Sequence, residues 1–200
     1  MNPFKHRNLT LNPGDALAVV HIQNDFLAGG SLAVPQGDEV VPVLNRYLAA
    51  FEMKGLPIFA TRDWHPPNHC SFKPYGGLWP PHCVAGSRGA AFAPGLKLPS
   101  SAIVISQAMN PDKEAYSGFG GTDLPARLRA YKVRRLFVGG LATDYCVLNT
   151  VRDGLSLGYE VFLLEDAIRA VNVQPDDGRK AEDEMIRLGA VAIRREMLAA

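Results

Sequence analysis

Short apolar runs alternate along this chain with longer segments whose apolar residues recur at helical spacing. The apolar runs, typical of strands buried on both faces, span residues 16–22, 56–61, 102–106, 136–138, 160–164 and 191–193. The helical segments span residues 38–55, 122–131, 143–158 and 175–188. This alternation predicts an α/β fold in three layers, a doubly wound domain with a mainly parallel six-stranded sheet and helices on both faces.

The length and composition are those of one globular domain. The chain has 200 residues, of which 47% are hydrophobic and 20% are charged. A chain of this size can bury one sizeable core, so we expect a single domain over residues 1–200. In a sheet of this kind ligands bind at the carboxyl ends of the strands, and the chemistry is expected there.

The charge balance argues against nucleic-acid and membrane-surface roles. The 21 basic and 20 acidic residues give a net charge of +1, without the basic patch that such partners need. No apolar run approaches the roughly 20 residues of a membrane-spanning helix, and residues 1–10 lack a signal-peptide pattern. Three cysteines, an odd number, match no disulfide framework and indicate free thiols. We therefore expect a cytoplasmic protein with a small-molecule partner, in which a homo-oligomer is possible.

Cys146 follows the fourth predicted strand, at the start of a helix for which Thr143 and Asp144 are candidate N-caps. Free N–H groups and the helix dipole in a first turn favour a thiolate, so this position suits a nucleophile. A free cysteine can equally be a small buried hydrophobic residue, which is how we interpret Cys70 and Cys83. The surroundings of Cys146 must decide between the two interpretations.

The segment between residues 62 and 99 is rich in Pro, Gly, His and aromatic residues and has no clear periodicity. It holds three of the five histidines, in the pattern Asp63-x-His65-x-x-x-His69 with His82 farther on. Imidazole and carboxylate together suit a borderline divalent ion such as zinc, iron or manganese. We predict one such ion bound by Asp63, His65, His69 and His82, in preference to a polar loop that is merely rich in histidine.

Five motifs occur in a fixed order along the chain. They are Gln23-Asn24-Asp25-Phe26 with Gly29-Gly30-Ser31, Asp63-Trp64-His65 with His69, Trp79-Pro80-Pro81-His82-Cys83-Val84, Ala115-Tyr116-Ser117-Gly118-Phe119, and Gly140-Leu141-Ala142-Thr143-Asp144-Tyr145-Cys146. Over nearly its whole length the chain resembles the nicotinamidase/pyrazinamidase family of isochorismatase-like hydrolases. Several independent motifs in the same order make the resemblance specific.

The resemblance implies an isochorismatase-like fold and an amidase. The expected reaction is hydrolysis of nicotinamide, or a related small planar amide, to the acid and ammonia through a thioester on Cys146. It also implies a divalent ion on the four residues named above, and an oxyanion bound by the backbone N–H groups of Ala142 and Cys146 next to a cis Leu141–Ala142 peptide. The implied substrate-binding residues are Phe26, Trp79, Tyr116 and Leu141.

Two positions depart from the family's pattern. The aspartate expected two residues before Gln23 is His21, and the lysine expected nine residues before Tyr116 is Gln107. A neutral histidine can take a thiol proton while an amide orients it, so we predict a catalytic set of Cys146, His21 and Gln107.

Two alternatives remain open at these positions. The first is a catalytically impaired family member that acts as a small-molecule or metal-binding protein. The second is that His21 adds a nitrogen ligand near the metal. A third class, the metal-free isochorismatase-like hydrolases, is disfavoured by the intact set of four predicted ligands.

Overall fold

A computed structural model of the chain describes residues 9–199. Its strands are β1 (Asp15–Val20), β2 (Ile58–Asp63), β3 (Ile103–Gln107), β4 (Arg135–Leu141), β5 (Glu160–Arg169) and β6 (Val191–Ile193). Its α-helices are α1 (Val40–Met53), α2 (Leu124–Ala130), α3 (Leu148–Ser156) and α4 (Asp177–Arg187). The six strands all pair in parallel, in the order β3-β2-β1-β4-β5-β6. This confirms the predicted parallel six-stranded sheet.

The helices cover both faces of the sheet. On one face Leu44 of α1 packs in a buried cluster with Leu17 of β1. On the other face the buried cluster contains Leu128 of α2, Val151 of α3 and Met185 of α4. The three predicted layers are therefore present. No helix within residues 9–199 has both the length and the apolar character needed to cross a bilayer.

The strand order reverses between β1 and β4 at the centre of the sheet. From β1 the chain moves outward through β2 and β3, and from β4 it moves to the other edge through β5 and β6. Such a reversal opens a crevice at the carboxyl ends of the two central strands, where ligands bind in folds of this kind. His21 follows β1, Asp63 ends β2 and Cys146 follows β4, so the fold places three chemically competent side chains at this crevice.

The strand β4 runs on through Gly139 and Gly140, although the sequence predicted that it would end at Val138. Gly140 has φ +132, and a Cβ at this position would overlap the carbonyl oxygen of Val20. Glycine therefore allows β1 and β4 to approach closely here, and it does not end the strand. The strand β5 is also longer than predicted and extends to Arg169.

Cys146 lies in a π-helical turn, Thr143–Val147, that leads into α3. No side chain caps this turn, so the predicted N-cap roles of its first two residues were wrong. The carboxylate of Asp144 instead accepts hydrogen bonds from the N–H groups of Val171 and Asn172. Single π-helical turns are frequent at functional sites, which agrees with a special role for Cys146.

Hydrogen bonds from the segment after β1 hold the long loop over the crevice. The carboxylate of Asp25 accepts the N–H groups of Cys83 at 2.7 Å and Ser31 at 3.3 Å. The side-chain amide of Gln23 both accepts from the N–H of Asp63 and donates to its carbonyl, each at 2.8 Å. These bonds fix the positions of Asp63 and of the loop that carries His82.

Candidate active site

A small cavity at the carboxyl edge of the sheet contains the side chain of Cys146, whose residue is only 6% exposed. Residues from separate parts of the chain form the other walls. They are Phe26, Leu32, Asp63, Trp79, His82, Tyr116, Ala142, Tyr145 and Val171. The cavity thus combines one thiol, one carboxylate and one imidazole with several aromatic rings.

Three of the four predicted substrate-binding residues, Phe26, Trp79 and Tyr116, line this cavity. The indole Nε1 of Trp79 donates a hydrogen bond of 3.0 Å to the hydroxyl of Tyr116, and burial raises the pKa of that hydroxyl. Tyr145, to which the sequence analysis gave no role, packs edge-on against Trp79 with ring centroids 5.1 Å apart. Leu141 differs from the expectation because its side chain is fully buried in the hydrophobic core, away from the cavity lining.

Asp63, His65 and His82 each place one potential ligand atom within 4.8 Å of the other two. The Nδ1 of His65 donates to the carbonyl of His82 at 3.1 Å, and the Nδ1 of His82 donates to the carbonyl of Pro80 at 2.8 Å. In both rings Nδ1 is thus used as a donor and Nε2 is left as the atom for metal ligation.

The surroundings of His65 and Asp63 also suit a cation. Burial lowers the pKa of His65 to about 4, which keeps its ring neutral. The Oδ1 atom of Asp63 is buried and has no hydrogen-bond partner within the described chain. Two imidazole nitrogens and one carboxylate fit a borderline divalent ion.

His69, the fourth predicted ligand, lies beside His65 with ring centroids 4.5 Å apart, but both of its ring nitrogens are hydrogen-bonded. Its Nε2 donates to the carbonyl of Lys113 at 3.2 Å, which leaves Nδ1 as the acceptor. That atom accepts the hydroxyl of Ser71 at 2.7 Å and the N–H of the same residue at 3.2 Å. The structure groups His69 with His65 and Glu114, so it brings together three of the four predicted ligands.

His21 is fully buried and adopts a left-handed backbone conformation with φ +50. Its Nδ1 lies 3.1 Å from the hydroxyl oxygen of Thr61, and its Nε2 lies 3.5 Å from Oδ1 of Asp63. A ring nitrogen of His21, an oxygen of Asp63 and Sγ of Cys146 all lie within 4.8 Å of one another. The predicted proton acceptor is therefore close to the predicted nucleophile.

Gln107, the third member of the predicted catalytic set, is not hydrogen-bonded to His21. Its Nε2 donates to the carbonyl of Ala115 at 3.1 Å, while its Oε1 is buried without a partner in residues 9–199. The group that orients His21 is the hydroxyl of Thr61. Thr61 carries no signal in the sequence, because it belongs to an apolar strand.

The thiol of Cys146 does not ionise readily by itself. Burial raises its pKa well above the usual range, and the negative charge of Asp63 adds to this effect. Activation therefore needs a nearby proton acceptor or cation. Ala142 also lines the cavity beside Cys146, and the Leu141–Ala142 peptide is cis, as predicted.

Comparison with known proteins identifies relatives over almost the full chain. The family model for the isochorismatase domain matches residues 15–196. The nicotinamidase of Escherichia coli is 43% identical over 199 residues, covering 89% of this chain and 93% of that protein.

Two solved structures show the same fold. The pyrazinamidase of Pyrococcus horikoshii, in complex with zinc, has a TM-score of 0.87 and is 48% identical. The match covers 91% of this chain and 99% of the pyrazinamidase chain. PnC1 from L. infantum, in complex with nicotinate, has a TM-score of 0.87 and is 36% identical. The match covers 96% of this chain and 99% of that protein.

These relatives place the chain among amidohydrolases that act on a carbon–nitrogen amide bond. The chain belongs to the isochorismatase-domain family, in its nicotinamidase/pyrazinamidase group.

Proposed function

We propose that this protein hydrolyses nicotinamide, or a closely related small planar amide, to the acid and ammonia through a thioester on Cys146. The observation that carries the proposal is the single cavity in which Cys146 faces aromatic walls together with Asp63 and His82. The nicotinamidase and pyrazinamidase relatives, one of them bound to zinc and one to nicotinate, support the same class of substrate.

His21 would act as the proton acceptor for Cys146. When Nδ1–H donates to the hydroxyl of Thr61, the Nε2 lone pair is free on the side of Asp63. The carboxylate of Asp63 would favour the imidazolium that forms after proton transfer.

The acylation step then needs no other proton carrier. The sulfur of Cys146 attacks the amide carbon, and the N–H groups of Ala142 and Cys146 would bind the resulting oxyanion. As the carbon–nitrogen bond breaks, the proton on His21 passes to the leaving nitrogen and ammonia departs. His21 next takes a proton from water, whose oxygen attacks the thioester, and the thiol is regenerated with the acid as product.

The three residues Asp63, His65 and His82 would hold one divalent ion, for which zinc, iron and manganese are the candidates. When bound, the ion supplies a Lewis-acid contact that orients a ring nitrogen of the substrate. Phe26, Trp79 and Tyr116 would hold the faces of the ring. His69 would keep its hydrogen bonds to Ser71 and Lys113.

The proposal is tested by ammonia release from nicotinamide with the metal-loaded full chain. We expect turnover by the wild type, none by Cys146→Ser, and formation of nicotinohydroxamate when hydroxylamine traps the thioester.

The alternative is a protein that binds the amide without turnover, which the substitutions at positions 21 and 107 favour. In that case nicotinamide would raise the melting temperature of the wild type without any release of ammonia. The double variant His21→Asp/Gln107→Lys, which restores the family's pattern, would then gain the activity. That pair of results would contradict the proposed function.

A further inference from the structure

A second group of potential ligand atoms lies beside the Asp63–His65–His82 set. His21, Asp63 and Cys146 each place one ligand atom within 4.8 Å of the other two. All three residues are buried, with exposed fractions of 0%, 5% and 6%. The Nε2 of His21 and the Oδ1 of Asp63 have no hydrogen-bond partner in the described part of the chain. Buried polar atoms normally have partners, so these two indicate a ligand.

We propose that His21, Asp63 and Cys146 form a second divalent-cation site, which shares Asp63 with the first set and blocks Cys146 when it is filled. One imidazole, one carboxylate and one thiolate favour zinc, and cobalt(II) is a suitable spectroscopic probe of the same geometry. As the bond between Sγ and the metal forms, the thiol proton is released to solvent. In this site Oδ1 of Asp63 would be the ligand beside Nε2 of His21, and the other carboxylate oxygen would serve the set with His65 and His82.

The distances fit a tetrahedral ion. Oxygen and nitrogen ligands at about 2.0–2.1 Å from a tetrahedral zinc are roughly 3.3 Å apart. The observed distance between Nε2 of His21 and Oδ1 of Asp63 is 3.5 Å. A thiolate at about 2.3 Å from the same ion would lie roughly 3.6 Å from the other ligands, and Sγ of Cys146 lies within 4.8 Å of both ligand atoms. Three protein ligands leave the fourth position for water.

Thr61 orients the imidazole for this role. A metal-bound histidine usually donates its other ring N–H to a fixed acceptor. The hydroxyl oxygen of Thr61 lies 3.1 Å from Nδ1 of His21, and both residues are fully buried. An aspartate at position 21, as in the family's pattern, would supply no imidazole, so this mixed donor set is a feature of the present chain.

An ion at this site would make Cys146 unavailable as a nucleophile. Excess zinc is therefore expected to inhibit the activity proposed above. The site itself does not depend on that activity, because metal binding and thiol reactivity can be measured without an amide substrate. Failure of the proposed hydrolysis would leave the metal measurements unchanged, and the two hypotheses can be judged separately.

The first experiment is a titration of the metal-free full chain with cobalt(II). We expect two equivalents to bind to the wild type, one of them producing a cobalt–thiolate charge-transfer band in the near ultraviolet. Cys146→Ser should abolish the band, whereas Cys70→Ser should keep it. His21→Asn, which tolerates the left-handed backbone, should weaken the equivalent that produces the band at least tenfold and leave the other equivalent bound. A wild type without the band, or a band of unchanged affinity in His21→Asn, would overturn the proposal.

The second experiment measures alkylation of Cys146 by iodoacetamide with mass spectrometry, and Cys70 serves as an internal reference. Zinc should slow alkylation of Cys146 at least tenfold in the wild type and in His82→Ala. Loss of this protection in His82→Ala would mean that the thiol is shielded by an ion of the first set, and the second site would be refuted.

A further variant, Thr61→Val, tests the site even if His21→Asn does not fold. Thr61→Val removes the hydroxyl next to Nδ1 of His21 and is nearly isosteric. We expect it to weaken the cobalt equivalent that produces the charge-transfer band by 10–100-fold, the usual effect of losing such an orienting partner. An unchanged affinity would count against the site.

Discussion

The Nε2 atom of His21 lies 3.5 Å from Oδ1 of Asp63, and neither atom has a hydrogen-bond partner among residues 9–199. A buried polar atom without a partner costs about 1–3 kcal/mol, so a site that retains two of them is arranged for a proton or a ligand. Asp63 also faces His65 and His82. One carboxylate thus connects the proposed proton acceptor of Cys146 with the proposed metal ligands.

Replacing His21 by Asn is expected to lower kcat by about 10²–10⁴-fold, because the thiol of Cys146 then has no proton acceptor. KM should change little, since the aromatic walls of the cavity remain. Steady-state release of ammonia from nicotinamide gives both constants, and thermal unfolding shows whether the variant is folded.

Gln107→Leu is the matched control for this variant. Gln107 donates to the carbonyl of Ala115 and does not contact His21 through a hydrogen bond, so we expect kcat to fall less than tenfold. Equal losses in the two variants would instead favour the set of Cys146, His21 and Gln107 that the sequence predicted.

The first metal set is expected to depend on His82 but not on His69. His82→Ala removes a ligand and should weaken zinc binding on the order of 100-fold, whereas His69→Ala should change it less than tenfold. The reason is that both ring nitrogens of His69 are already hydrogen-bonded. Competition with a chromophoric chelator measures the affinities, and Cys146→Ser as the background removes the second proposed site. Similar losses for both histidines would restore the four-ligand set.

The sequence predicted which types of residue reach the crevice better than it predicted their contacts. Asp63, His65 and His82 follow from residue type and spacing, and the structure groups them. The position of His69 depends on the carbonyl of Lys113, which lies 44 residues farther along the chain. Spacing within one loop cannot reveal such a partner. The role of Thr61 is hidden for a similar reason, since a threonine inside a strand usually has no special function.

The bounds of strands and helices were predicted well where the hydrophobic periodicity determines them. They were predicted poorly where contacts between backbone atoms determine them. The strand β6 begins and ends where the apolar pattern places it. The apolar pattern predicted that β4 would end at Val138, but the strand continues through Gly140, where the carbonyl of Val20 leaves no room for a side chain. The π-helical turn at Cys146 has no sequence period of its own and could not be distinguished from an α-helical start.

Tyr116→Phe is expected to raise KM about 5- to 10-fold with a smaller effect on kcat. The substitution removes the acceptor of the Trp79 indole N–H, so the indole that forms one wall of the cavity loses a hydrogen bond of about 1 kcal/mol that fixes its position for the substrate ring. The measurements are the KM for nicotinamide and, in the Cys146→Ser background, the Kd of nicotinamide. Tyr75→Phe is the control, because Tyr75 is 54% exposed and should leave both constants unchanged. A fall in kcat with unchanged KM would mean that Tyr116 acts on the chemical step.

Gly140→Ala is expected to destabilise the fold by about 3 kcal/mol or more. The added Cβ would meet the backbone of Val20, and the φ of +132 is strained for any residue with a side chain. Gly139→Ala is the matched control. Its Cβ would meet the side-chain ends of Leu164 at 3.1 Å and Leu44 at 3.2 Å, which can shift, and the carbonyl oxygen of Ala167 at 3.3 Å, so we expect a smaller cost of about 1–3 kcal/mol.

Urea unfolding measures both glycine variants. Because Val20 directly precedes His21, a folded Gly140→Ala protein should also lose the cobalt–thiolate band, whereas Gly139→Ala should keep it. Equal free energies of unfolding for the two variants would contradict the close approach of β1 and β4 at this point. A stable Gly140→Ala protein with an intact band would show that the position of His21 does not depend on that approach.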